Sequence, residues 1–399
     1  METRDGAIMK YRKDRAGNDI SQLGFGCMRF DKKMGAIDYE KAEGEVLVAI
    51  DRGVNYFDTA YLYPGSEECL GRILHENGCR DMVRIATKLP HYLMRSLQAV
   101  EKTFQEQLSR LRTDYVDYYL MHMFTDVVEW DRLKKLGIED WISRHKADGS
   151  IRSIGFSYHG DTEGFLQILD AYDWDFCQIQ YNYLDENSQA GRKGLKAAAA
   201  KGLPVIVMEP LRGGKLVQLP DKALQELQTS GTGYTPAELG LRWLWDQPEV
   251  SCVLSGMNSV AMVEENARIA DSAEPGHLSA EDKALVRRVK GIIREREKVG
   301  CTECRYCMPC SSGVDIPGNF HHYNLMYLES KHSARFEFAQ NVGLRKEPGF
   351  ASLCTECGEC EQRCPQHIPI RSMLKEADRA LRPLPYKAGI SVARAFMGR

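Results

Sequence analysis

Hydrophobic and polar positions follow two alternating periods before Ala270 and lose that rhythm after Gly300. Short runs of mainly apolar, β-branched or aromatic residues recur at roughly thirty-residue intervals, the spacing of a strand–helix repeat. The runs are ISQLGFG, NYFDTA, VRIATKL, VDYYLMH, IRSIGFS, FCQIQYN, PVIVMEP and VSCVLSG. Such near-continuous apolarity suits strands covered by helices on one side and packed into a barrel interior on the other. Between them EKAEGEVLVAIDRG, SEECLGRILHENG, LQAVEKTFQEQLSRL, NSQAGRKGLKAAAAKG, TPAELGLRWLWDQ and SVAMVEENARIA carry a helical period, and several close on glycine as helices often do. The eight units predict a (β/α)8 TIM barrel over residues 1–271, a fold that usually takes about 250 residues. An open, doubly wound sheet fits less well, because no glycine-rich turn follows the first strand.

Residues 272–300, SAEPGHLSAEDKALVRRVKGIIREREKVG, open on a Pro-Gly loop and then turn charged and helical, marking a linker. Residues 301–370 are punctuated by cysteines and read as a small, mainly helical second domain. The basic tail, 371–399, holds seven Lys/Arg against two Asp/Glu and reads as a solvated helix with a mobile end.

A hydrophobic fraction of 43% over 399 residues is enough for a large core. No apolar run reaches the ~18 residues of a membrane span. The start, METRDGAIMKYRKDR, lacks the apolar stretch of a secretory signal, so a cytoplasmic protein is expected. A net charge of −3 with scattered Lys and Arg leaves no electrostatic footprint for nucleic acid.

Cysteine changes the picture. Of 13, five are dispersed (Cys27, Cys69, Cys79, Cys177, Cys252) and read as small buried residues, while eight fall in CTECRYCMPC and CTECGECEQRCP. Without an export signal, such density points to metal ligands rather than disulfides. Cys354, Cys357, Cys360 and Cys364 stand in C-x2-C-x2-C-x3-C before Pro365, the bacterial ferredoxin spacing for a [4Fe–4S] cluster. Cys301, Cys304, Cys307 and Cys310 form a run one residue shorter at its last step. A zinc ribbon would show two separated C-x2-C knuckles instead. In two-cluster ferredoxins the fourth cysteine of each run serves the other cluster. By that rule Cys301, Cys304, Cys307 and Cys364 hold one cluster, and Cys354, Cys357, Cys360 and Cys310 the other. His321 and His322 lie between the runs, but eight thiols already complete two sites.

The barrel brings a different chemistry. NYFDTAYLYPGSEE, ATKLP and YYLMHM put Asp58, Tyr63, Lys88 and His122 at the C-terminal ends of successive strands, the face where barrel active sites lie. A phenol donates a proton to a developing alkoxide more readily when its pKa, about 10 in water, is lowered, and an adjacent ammonium does that. Lys88 would serve Tyr63 in this way, Asp58 would keep Lys88 charged and oriented, and His122 would hydrogen-bond a carbonyl oxygen.

These elements resemble the aldo-keto reductase family: DTAYLYPGSEE matches its Asp-Thr-Ala-x-x-Tyr-Gly-x-Ser-Glu element with Pro64 inserted, and ATKLP, LMHM, GFSYH, QIQYN and the Glu265-Asn266 pair follow in order. With the cysteine region, the chain looks like an iron–sulfur branch of that family found mainly in anaerobes. The resemblance implies hydride transfer between a nicotinamide cofactor and an aldehyde, ketone or alcohol, with Asp58, Tyr63, Lys88 and His122 as the catalytic tetrad. It implies that Ser157 and Gln178 contact the carboxamide, that Met208 covers the nicotinamide ring where an aromatic is usual, and that Leu211, Gly213 and Gly214 take the pyrophosphate. Gly256, Asn258, Glu265 and Asn266 fall on the adenosine side, without the basic residues that commonly bind a 2′-phosphate. NADP and NAD therefore stay open, and Tyr158 replaces the asparagine that often follows the carboxamide serine.

A cubane accepts one electron and a hydride carries two, so a direct relay between nicotinamide and clusters needs a mediator such as flavin, for which the chain shows no fingerprint. Three roles follow: a reductase exchanging electrons with a ferredoxin- or flavodoxin-type partner, a reductase whose clusters are structural, and an electron-transfer scaffold whose barrel has lost catalysis. The intact tetrad disfavours the third.

Overall fold

The computed structural model describes residues 9–301, 303, 305–364 and 366–397. Cys304 and Pro365 of the cysteine runs lie outside the described residues.

Eight parallel strands close into one barrel. They are β1 (Leu23–Gly26), β2 (Tyr56–Asp58), β3 (Arg84–Leu89), β4 (Val116–Phe124), β5 (Ile151–Tyr158), β6 (Phe176–Gln180), β7 (Val205–Met208) and β8 (Val250–Ser255). Each expected run supplies one of them. Neighbours in sequence are neighbours in space, and β8 returns to β1 by pairing Val253 with Leu23 and Ser255 with Phe25. The first run divides: Asp19–Ser21 pairs antiparallel with Tyr11–Lys13, and only Leu23–Gly26 enters the barrel. That hairpin places Ile20 at the N-terminal end of the barrel interior.

The interior is filled by Tyr56, Ala86, Tyr118, Leu120, Phe176, Ile206, Cys252 and Leu254. It is tight enough that a Cβ on Gly24 would lie 2.7 Å from Leu254 Cδ2 and 2.8 Å from Cys252 Sγ. Side chains alternate along a strand, so the residue two positions beyond each interior member points inward again. That rule carries the polar set to the rim: Asp58 follows Tyr56, Lys88 follows Ala86, His122 follows Leu120, Gln178 follows Phe176, and Met208 follows Ile206. A second, larger apolar shell lies between strands and helices and fully buries Trp130, Trp141, Trp174 and Trp245.

The charged linker helix, Ala280–Arg294, starts at a Ser279–Asp282 capping box and lays Leu285, Val286, Val289 and Ile293 into that shell. Helices Ile316–Leu328, Lys331–Phe338 and Ile370–Leu381 form a separate core around Phe320, Leu325, Phe338 and Val342. The tail therefore differs from the expected solvated helix. Ile370, Leu374, Ala377 and Leu381 recur at one-turn spacing on one face and are buried in this core. Beyond them Leu384–Met397 is largely exposed. Among the described residues, no helix is long and apolar enough to cross a membrane.

Candidate active site and cysteine cavities

Asp58, Lys88 and His122 end three adjacent strands, and Tyr63 reaches them from the loop after β2. Lys88 Nζ donates to Asp58 Oδ1 at 2.6 Å and to the Thr59 carbonyl at 2.7 Å, with both side chains of the pair buried. The same ammonium lies 5.1 Å from the Tyr63 ring centre and is near enough to act on its phenol. The Tyr63 and His122 rings meet edge to face, with centres 6.1 Å apart. All four expected residues converge.

Burial opposes the charge on Lys88, but Asp58 and Tyr63 outweigh it and hold the ammonium above its ordinary range. Burial acts most strongly on Tyr63 too. Lys88 pulls its phenol down, yet the net direction is upward, because the ammonium does not recover all that desolvation costs. The expectation that Lys88 brings Tyr63 below its ordinary value is corrected accordingly: at neutral pH the phenol keeps its proton and is set to donate it. Burial, helped by Lys88, drives His122 far below the usual histidine range and keeps the imidazole neutral.

The rim also offers unsatisfied polar atoms where the nicotinamide is expected. Gln178 Oε1, Asp58 Oδ2 and His122 Nδ1 are buried with no hydrogen-bond partner among the described residues. Gln178 Nε2 approaches Met208 Sδ at 3.5 Å, and Gln178 pairs in register with Ser157, whose Oγ accepts from the Met123 N–H at 2.8 Å. A primary carboxamide would satisfy Gln178 Oε1 and accept from the Ser157 hydroxyl, so the residues present fit the group. After β7, Leu211 is buried, and Gly213 (φ +65°) and Gly214 (φ +93°) take left-handed conformations. Asn258 donates to Asp31 at 3.0 Å, and Glu265 accepts from Thr235 at 3.1 Å. Asn266 is buried with its amide on Ser255 Oγ at 3.1 Å, which ties the helix Val260–Ser272 to the end of β8.

Residues 22–282 match the model of the aldo/keto reductase family, about two thirds of the chain. The chain belongs to the aldo/keto reductase family. Residues 300–368 match the 4Fe-4S dicluster domain. Among curated relatives, L-galactose dehydrogenase of Arabidopsis thaliana is 29% identical over 281 residues, covering 65% of this chain and 86% of that protein. D-galacturonate reductase of Fragaria ananassa is 30% identical over 283 residues, covering 64% and 84%. Among solved structures, the holo form of an aldo-keto reductase from Bacillus halodurans aligns with a TM-score of 0.59 at 27% identity, covering 70% of this chain and 96% of that one. An aldo-keto reductase from Klebsiella pneumoniae in complex with NADPH aligns with a TM-score of 0.59 at 25% identity, covering 71% and 95%. This aldo/keto reductase is thus an oxidoreductase of TIM-barrel fold that carries a second, iron–sulfur type of domain.

That second domain presents its cysteines around two cavities. One is lined by Cys307, Cys310, Cys354, Cys357 and Cys360. The other is lined by Cys301, Cys307 and Cys364, backed by Ile316, Phe320 and Ile368. No disulfide links the described cysteines. Nor do three or more His, Cys, Asp or Glu among the described residues converge tightly enough for a single ion. Cysteines that ring a space fit a polynuclear cluster. The five dispersed cysteines are buried, as expected.

Two features of the rim carry no local sequence signal. Arg212, inside the Leu211–Gly214 loop, is 3% exposed and pairs with Asp185, with Glu329 at 2.7 Å and with Glu337 at 3.5 Å. Lys215 joins Glu329 and donates to Ser333 Oγ at 2.7 Å. The loop expected to hold the coenzyme is therefore bolted to the cysteine domain. Glu209, next to Met208, keeps contact with solvent, and the protein crowding it, with the Glu337 carboxylate, lifts it to about 7.

Proposed function

We propose that this aldo/keto reductase transfers hydride between NAD(P)H and the carbonyl of a small polar substrate, with Tyr63 as general acid in reduction and general base in the reverse direction. The observation that carries the reading is the buried Asp58–Lys88–Tyr63 chain with neutral His122 at the edge of the phenol. A bound nicotinamide supplies the hydride. Tyr63 donates its proton to the carbonyl oxygen as negative charge develops there, and Lys88, held charged by Asp58, stabilises the phenolate left behind. His122, being neutral, donates one hydrogen bond to that oxygen without competing for its proton. Ser157 and Gln178 would orient the carboxamide, Met208 would cover the ring, and Leu211, Gly213 and Gly214 would receive the diphosphate. Two relatives named for a hexose and a uronic acid support a polyhydroxylated substrate.

In this reading Cys301, Cys304, Cys307 and Cys364 hold one [4Fe–4S] cluster, and Cys310, Cys354, Cys357 and Cys360 the other, a crosswise split supported by Cys364 lining a cavity with Cys301 and by Cys310 lining one with Cys354, Cys357 and Cys360. The clusters act as the structural fastening of the second domain, which in turn anchors the coenzyme loop through Arg212. The test is Tyr63→Phe in the cluster-loaded protein against a panel of sugar aldehydes and uronic acids. Turnover is expected to fall roughly 10²- to 10⁴-fold, the usual share of general acid catalysis, with coenzyme affinity retained. Unchanged turnover would remove Tyr63 from the mechanism.

A further inference from the structure

The loop after β1 carries a cation that the proposed mechanism leaves unused. β1 and β8 are neighbours, with Phe25 opposite Ser255, so Arg29 and Gly256 meet at the same stretch of rim. The arginine stem lies over Gly256: a Cβ there would fall 2.9 Å from Arg29 Cδ, 3.1 Å from its Cγ and 3.2 Å from its Cβ. The guanidinium reaches the loop after β7, where a Cβ on Gly213 would fall 2.6 Å from Arg29 Nη2. Two glycines from different loops thus leave the space that one arginine side chain takes up. No hydrogen bond or ion pair engages Arg29 among the described residues.

Three other cations near the two loops are committed. Arg212 and Lys215 face Glu329 and Glu337, and Lys41 faces Asp31. Residues 256–262 contain no Lys or Arg. An open guanidinium between a backbone cradle and a segment without basic residues is suited to an oxyanion that bridges the two, because its planar fork can grip phosphate oxygens in pairs. The guanidinium lies at Gly213, on the cradle side. On the other side Asn258 leans on the Asp31 carboxylate, which would repel a 2′-phosphate while accepting from a ribose hydroxyl.

We propose that Arg29 grips the diphosphate of the dinucleotide and closes the Leu211–Gly214 cradle from the opposite wall. The proposal rests on the coenzyme reading above. It makes Arg29 a determinant of affinity for NADH and NADPH alike, and not of the choice between them.

The test uses the full-length, cluster-loaded protein, with Arg29→Met and Arg29→Lys beside wild type. Dissociation constants for NADH, NADPH, ADP-ribose and adenosine are measured by calorimetry, without turnover. Arg29→Met is expected to weaken NADH, NADPH and ADP-ribose roughly ten- to hundred-fold, as loss of a charge-assisted pair of hydrogen bonds does, and to leave adenosine unchanged. Arg29→Lys, keeping the charge without the fork, is expected to recover part of the loss. Unchanged affinity for ADP-ribose would overturn the assignment. So would a loss confined to NADPH, which would move Arg29 to a 2′-phosphate. A wild-type protein that binds neither dinucleotide would instead remove the coenzyme reading itself, and Arg29 with it.

Discussion

The barrel rim and the cysteine domain reach their chemistry by opposite routes. At the rim, Asp58, Lys88 and His122 come from three strands, and one interior packing pattern brings them together with Lys88 and Asp58 2.6 Å apart. In the cysteine domain the candidate ligands come in two short runs that lie mostly on loops, with Cys360 in the short helix Glu359–Arg363, Cys357 exposed and the other described members half-buried. The rim is a consequence of a large apolar core that packs without help. The cysteine cavities border a much smaller core, and small domains of that kind commonly rely on metal for their stability. A catalytic constellation built on strands is made by the fold, whereas a cluster site helps to make one.

The sharpest way to break the contrast is to remove one cluster ligand. Cys310→Ser is expected to empty the cavity formed mainly by the second cysteine run, and Cys364→Ser the one formed mainly by the first, at a cost on the order of 10 kcal/mol in that domain if metal binding is folding energy here as in structural metal sites. Iron and sulfide analysis with EPR of the dithionite-reduced protein checks which cluster disappears. Loss of the same-run cluster in each variant would undo the crosswise assignment.

A smaller effect tests the rim. Lys88→Met leaves Asp58 buried and unpaired and is expected to cost about 3–5 kcal/mol, while adding Asp58→Asn should recover most of it, because breaking a buried pair costs more than replacing it. Chemical denaturation of the three proteins measures this. A single variant as stable as wild type would mean that the pair does not organise the rim.

The seam between the regions sharpens the comparison further. Arg212→Met is expected to cost about 2–4 kcal/mol, since it strips Asp185 of its cation and leaves Glu329 to Lys215 alone, but the loss should be read at the docking of the two units and not in the barrel melt. Limited proteolysis between residues 329 and 345 follows it. The smallest effect is a pH dependence. Burial lowers His159 to about 4, so it is neutral in the folded chain and binds a proton more readily when unfolded. Its contribution to stability is complete above about 6.5 and is lost as pH falls towards about 4. His159→Gln should flatten that part of the wild-type stability curve, measured by thermal denaturation from pH 7 to 4.

Much of the barrel was legible because strands buried on both faces are nearly continuous apolar runs, and because the interior alternation also fixes which polar residues stand at the rim. The cysteine runs were legible for a different reason: a loop that wraps one inorganic core brings three of its ligands from a single short stretch, and that spacing shows in the sequence. What the chain hid lies between distant segments. Arg212 and Glu329 are 117 residues apart and neither has a flanking pattern that names the other. Arg29 reads as an ordinary exposed arginine until Gly213 and Gly256 are placed against it. The helix Ile370–Leu381 was readable, since its apolar residues keep one-turn spacing, but its charge composition suggested a solvated tail. The direction of Tyr63 was not, because the balance between burial and Lys88 depends on depth within the cleft.

The central claim is that the fold alone assembles the barrel site, whereas the clusters assemble the second domain. Hydrogen–deuterium exchange of the loaded protein, compared with the same protein after anaerobic iron removal, tests it most directly. Protection in β2, β3 and β4 is expected to persist, with loss across 299–381 and in the Leu211–Gly214 loop that Arg212 ties to that domain. Unchanged protection across 299–381, or loss spreading into the three strands, would contradict it.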